Sequence, residues 1–96
     1  MLILNRLVGE RIYIGRYSLT VDAIDPHSAR LLVVDYERAY TRTVVLGHGM
    51  KLDPQIFVFV LRGRARTCWP EIRVGIKAPI NIPIERDDII KGRQAA

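Results

Sequence analysis

"MLILNRLVGERIYIG", residues 1–15, opens with a strand that is apolar on both faces and then turns back at once. Met1 to Leu4 contain no polar alternate, so neither side is suited to water and the strand belongs inside a larger structure. Asn5, Arg6 and Leu7 lead into "VGER", where Gly9 marks a turn, and "RIYIG" supplies a second short strand. No earlier chain covers a strand beginning at residue 1, so a second subunit is the expected source of the missing layer.

The middle of the chain continues in the same idiom. "YSLTVDAID" (17–25) alternates Leu19, Val21 and Ala23 against Ser18, Thr20 and Asp22, a strand with one wet face that ends at Asp25-Pro26. Four further runs, "ARLLVVDYE" (29–37), "TRTVVLG" (41–47), "QIFVFVLRG" (55–63) and "EIRVGIKA" (71–78), are rich in β-branched or aromatic residues and bounded by Gly, Pro or charge. "APINIPIERDDI" (78–89) then places Ile80, Ile82 and Ile84 at a strict two-residue period, with Arg86 next in phase. That period predicts a strand whose buried row ends in a guanidinium. Asp87 and Asp88 suit the positive end of a helix dipole, and "DDIIKGRQAA" leaves room for one short C-terminal helix.

Ninety-six residues make one domain with a modest core, and an apolar content of 49 % is high for a small monomer, which again favours an interface. Fifteen basic residues against ten acidic ones give a net charge of +5, most of it from arginine, whose planar fork suits phosphate. One cysteine, Cys68, permits no internal disulfide, and no run approaches the length of a membrane span, so a reducing cytoplasm is the expected location.

Catalytic patterns are weak. His27 and His48 are far apart and lack Cys or Glu at ligand spacing, Cys68 has no base nearby in sequence, and "GHG" (47–49) is too short for a phosphate loop. Neither an enzyme nor a metal or other cofactor is expected. "LRGRAR" (61–66) instead sets Arg62, Arg64 and Arg66 at alternate positions, where an extended chain would aim all three to one side and could track phosphates.

The two ends of the chain together resemble the CsrA/RsmA carbon storage regulators, small bacterial RNA-binding proteins that control translation. The likeness lies in "MLILNRLVGERIYIG" (1–15) and "IRVGIKAPINIPIERDDI" (72–89), with "SLTVDAID" in the place of the family's middle strand. It implies a mostly β, barrel-like homodimer with interleaved strands, the first strand of one subunit lying beside the last strand of the other. It also implies that each composite edge holds a GGA-containing hairpin loop of an mRNA leader, and that regulatory small RNAs compete for it. The contacts it implies fall on Leu4, Arg6, Ile82, Ile84 and Arg86, with Ala78 and Pro79 shaping the loop that reads the bases.

Departures accompany the likeness. Leu7 stands where the family usually carries a second basic residue, Glu85 puts a negative charge beside Arg86, and about 45 residues, roughly 26–71, are inserted between the middle strand and "IRVGI". So long a stretch in a compact domain requires structure of its own, and an inserted β region is expected. The expected function is post-transcriptional regulation by RNA binding. From a different class comes a protein-interaction module, using the inserted region to bind a protein or to pair with a standard family member as antagonist.

Overall fold

A computed structural model describes residues 1–63 and 71–86. Nine strands appear there: β1 (Leu2–Leu7), β2 (Arg11–Ile14), β3 (Tyr17–Ile24), β4 (Ser28–Val34), β5 (Ala39–Val45), β6 (Gly49–Asp53), β7 (Ile56–Arg62), β8 (Glu71–Lys77) and β9 (Ile84–Arg86). They form a four-stranded sheet, β1-β8-β7-β6, and a five-stranded sheet, β5-β4-β3-β2-β9, with every pairing antiparallel. No helix occurs among the described residues, and the expected C-terminal helix falls on residues 87–96, outside them.

The two sheets close on one core because the strands alternate. In β3 the buried side chains are Tyr17, Leu19 and Val21; in β7 they are Ile56, Val58 and Val60; and β8 adds Ile72, Val74 and Ile76. Gly75 is also buried, although it lies on the outer face, where the side chain of Met1 covers it. Each buried aliphatic side chain contributes about 1.5–3 kcal/mol by leaving water.

The order of strands repeats. β1-β2-β3-β4 and β5-β6-β7-β8 follow the same path, and each half sends its first strand to pair with the fourth strand of the other: β1 with β8, β5 with β4. The hairpins match bond for bond. Gly9 N–H donates to Val21 O at 2.8 Å and Gly47 N–H to Val60 O at 2.7 Å, while Val21 and Val60 N–H donate to Glu10 O and His48 O, both at 3.0 Å. The two glycines have φ of 89° and 88°, a left-handed conformation that side-chain-bearing residues resist. Register then equates Leu4 with Arg42, Arg6 with Val44, Leu31 with Val74 and Val33 with Ile76.

Residues 26–71 carry β4 to β7, which are central and edge strands of both sheets. β1 pairs with β8 within the chain, while Met1, Leu2 and Ile3 remain exposed. The repeat is incomplete in one respect. β9 lies beside β2, and among the described residues no strand lies in the matching place beside β6.

Candidate nucleic-acid interface

After β8 the chain leaves the sheet through Ala78-Pro79 and folds over the end of the sandwich. Neither Pro79 nor Pro83 has an N–H to give a strand ladder. The segment turns instead: Ile82 N–H donates to Pro79 O at 3.0 Å, and Gly15 N–H donates to Pro83 O at 2.9 Å. Only at Ile84 does pairing begin, with Ile84 opposite Ile14, Glu85 opposite Tyr13 and Arg86 opposite Ile12. The isoleucine row predicted from Ile80 to Ile84 is therefore not one strand. The turn pushes Ile80 fully into solvent, while Ile82 packs so closely over Gly15 that a Cβ there would stand 3.2 Å from Ile82 Cγ2.

This path brings the two ends of the chain together. A groove of about 250 Å³ is lined by Leu2 of β1 and by Lys77, Ala78, Pro79, Ile82 and Ile84, with Met1 and Ile80 at its rim. Four of the residues singled out in the sequence, Ala78, Pro79, Ile82 and Ile84, meet here. The lining side chains other than Lys77 are apolar, with backbone polar groups open between them and no acidic residue among the lining. Met1 is 71 % exposed and Leu2 43 %, so unpaired apolar surface stands open beside a cation.

The remaining expected contacts are placed differently. Leu4 is half-buried and packs against the core. Arg6 points inward and is only 4 % exposed. Its Nε donates to Asn5 O, and the guanidinium lies 4.0 Å from Glu10 Oε1, which also accepts the Leu7 N–H at 2.8 Å. Held in this way, Arg6 exposes almost none of its surface to solvent in this chain. Arg86 is half-buried at the end of β9. Arg62 is exposed at the end of β7, where its carbonyl accepts from Arg73 Nε at 2.8 Å. Arg64 and Arg66 lie outside the described residues, as do Cys68 and Trp69.

Sequence reasoning missed Leu2 and Lys77. Both flank residues that were noticed, Leu4 and Ala78, and the signal that could have found them is parity: Leu2 shares a face with Leu4 and lies one pair nearer the β8 end, opposite Ile76. His27 and His48 are both exposed, and among the described residues no group of three His, Cys, Asp or Glu side chains could hold a metal. Among the described residues no helix is long and apolar enough to cross a membrane.

The fold is thus an antiparallel two-sheet protein with a groove at one composite edge whose one charged side chain is Lys77. No protein-family model matches the chain, no curated protein is significantly similar to it, and no solved structure matches it.

Proposed function

We propose that this protein is an RNA-binding post-transcriptional regulator whose β1–β9 edge takes a GGA-bearing hairpin loop from an mRNA leader, in the manner of the carbon storage regulators it resembles, and so controls translation or mRNA stability in the cytoplasm. One observation carries the reading: the groove assembles Leu2 from one end of the chain with Ala78, Pro79, Ile82 and Ile84 from the other. Those are the segments that hold the resemblance. Open apolar surface at Met1, Leu2 and Ile80 suits unstacked bases, which pack on apolar and aromatic side chains. Lys77 and Arg86 supply the cations for phosphate, since Arg6 is turned inward. Because both strands of the edge come from one chain, one hairpin per chain is expected.

Fluorescence anisotropy with a labelled GGA hairpin and a control hairpin lacking the triplet tests this. Saturable binding to the first, weakened by Lys77→Ala and by Arg86→Ala and falling steeply as salt rises, supports it. No binding by the unmutated protein at low salt sinks it.

A second reading is favoured by a different surface. On the outer face of the four-stranded sheet, β7 presents Phe57 and Phe59, where the corresponding positions of β3 carry Ser18 and Thr20. Phe57 is 37 % exposed and Ile3, on the same face, 45 %. An apolar face where the other half is polar is the mark of a protein-interaction module, and pull-down of a partner lost on Phe57→Ser, with hairpin binding intact, would establish it.

A further inference from the structure

The internal repeat singles out a second edge. At one end of the sandwich β1 and β2 border β9; at the other, β5 and β6 take the places of β1 and β2, and among the described residues nothing takes the place of β9. A groove of about 410 Å³ lies there, between the edge of one sheet and the edge of the other. Val44 and Met50 form its floor, each nearly buried, and Arg42, His48 and Lys51 form its walls, all three exposed. No acidic side chain lines it.

The backbone is set for pairing. His48 O accepts from Val60 N–H, so His48 and, two residues on, Met50 turn their backbone groups toward β7, and the alternate positions Gly49 and Lys51 turn theirs outward. Lys51 corresponds to Tyr13, which faces Glu85 across the β2–β9 pairing. From this we propose that the β5–β6 edge is a peptide-binding site: an extended, acidic segment of a partner protein adds to β6 as an antiparallel strand. Its inward apolar residues face Met50 and Val44, its outward carboxylates meet Lys51, and Arg42 and His48 flank the inward face with further positive charge. Strand addition gains main-chain hydrogen bonds in a row, and the basic walls select the charge. β9, which fills the equivalent place beside β2, reads Ile84-Glu85-Arg86, and Asp87-Asp88 follow it in sequence. This site is independent of the RNA groove, which lies at the opposite composite edge.

The test uses the full chain and a fluorescein-labelled peptide with the sequence of residues 79–88, PINIPIERDD, read by anisotropy. Saturable binding of one peptide per chain is expected. Lys51→Pro removes the outward N–H at an edge position where proline is tolerated, and should weaken binding about tenfold or more while the far-ultraviolet circular dichroism stays unchanged. Should that variant fail to fold, Arg42→Glu with Lys51→Glu gives the same loss through charge, and a lysine-substituted peptide should bind the doubly substituted form better than the parent. Absence of binding at millimolar peptide overturns the proposal. So does binding of single-stranded RNA in place of peptide when Arg42→Glu abolishes it and Lys51→Pro does not, because such an edge would read phosphate and not backbone.

Discussion

Replacing Arg6 separates a structural role from an RNA contact, and the structure gives the size of the effect. The side chain is 4 % exposed, so its stem is packed. Arg6→Ala strips about two buried methylenes at roughly 0.8 kcal/mol each. It also removes a charged hydrogen bond to Asn5 O, worth about 1.5 kcal/mol, and the attraction to Glu10, which is weaker because Glu10 is 36 % exposed. Relief of the buried charge offsets part of this, leaving a loss of about 2–3 kcal/mol. For a domain of this size the melting temperature should fall by about 10–20 °C. Arg6→Val installs the residue that the other half carries at the equivalent position, Val44, and replaces a buried cation by an apolar group. Its stability should lie within about 1 kcal/mol of the parent. Urea unfolding followed by circular dichroism measures both variants, and the hairpin assay runs on the folded Arg6→Val protein. Stability of Arg6→Ala equal to that of the parent, together with RNA affinity lost in Arg6→Val, would refute the reasoning, since the guanidinium would then stand on the RNA edge.

Other consequences are simpler to check. Gly9→Ala and Gly47→Ala meet no neighbouring atom, so each should cost about 1 kcal/mol through φ alone, and unequal losses in urea melts would deny that the two hairpins are equivalent. Asp35, in the connection between the halves, accepts the Glu37 and Arg38 N–H groups at 2.8 and 3.1 Å; chiefly the first of these holds its carboxyl below the ordinary value of 3.8. A depressed folded-state value means that this stabilisation is present above 3.8 and is lost as pH falls through the lower folded value; Asp35→Ala should therefore flatten that part of an acid-unfolding curve. Tyr17→Phe removes a hydroxyl that donates to Asp53 Oδ2 across the two sheets at 3.4 Å, a long bond, and calorimetry should find a loss of no more than about 1 kcal/mol. Ile80→Ser touches a side chain with no burial and should leave melting unchanged while weakening the hairpin complex.

Much of the strand content was legible because half-buried strands announce themselves by alternation: β3, β4, β7 and β8 coincide closely with runs that read as β. β6 escaped because Gly49, Lys51 and Asp53 leave Met50 and Leu52 as its only apolar pair, too brief for a period to register. The repeat escaped for a related reason. "LVGERIYIG" (7–15) and "VLGHGMKLD" (45–53) match in the spacing of apolar positions, while glycine at 9 and 47 is the one identical residue between them. Position along the chain carries the symmetry, and residue identity does not. Ala78, Pro79, Ile82 and Ile84, singled out in one segment of sequence, line one groove, while parity does not place Ile80, because two prolines replace a ladder by a turn. Arg6 lies on the inward face of β1 although the strand is at a sheet edge, a burial that charge and parity alone do not reveal. In a sandwich closed by its own second half, the inward face of β1 is core.

That closure bears on how the two composite edges can differ. Two identical chains interleaved about a two-fold axis must present the same edge twice, so any change that improves one alters both. A single chain that carries both halves is free of that constraint, and its equivalent positions have diverged in character: Leu4 answers to Arg42, Arg6 to Val44, and Ser18 and Thr20 to Phe57 and Phe59. The divergence is concentrated at the edges and outer faces. At the centre the exchange is conservative, Leu31 for Val74, Val33 for Ile76 and Leu19 for Val58, because a shared core tolerates only small changes in volume. Packing therefore preserves the symmetry where the halves meet each other and leaves it free to lapse where they meet a partner. If one edge binds RNA and the other a peptide, exchanging the edge residues should exchange their preferences. Leu4→Arg with Arg42→Leu is expected to weaken the peptide complex through the lost cation and, because Leu4 packs against the core, to cost about 1–3 kcal/mol in urea unfolding.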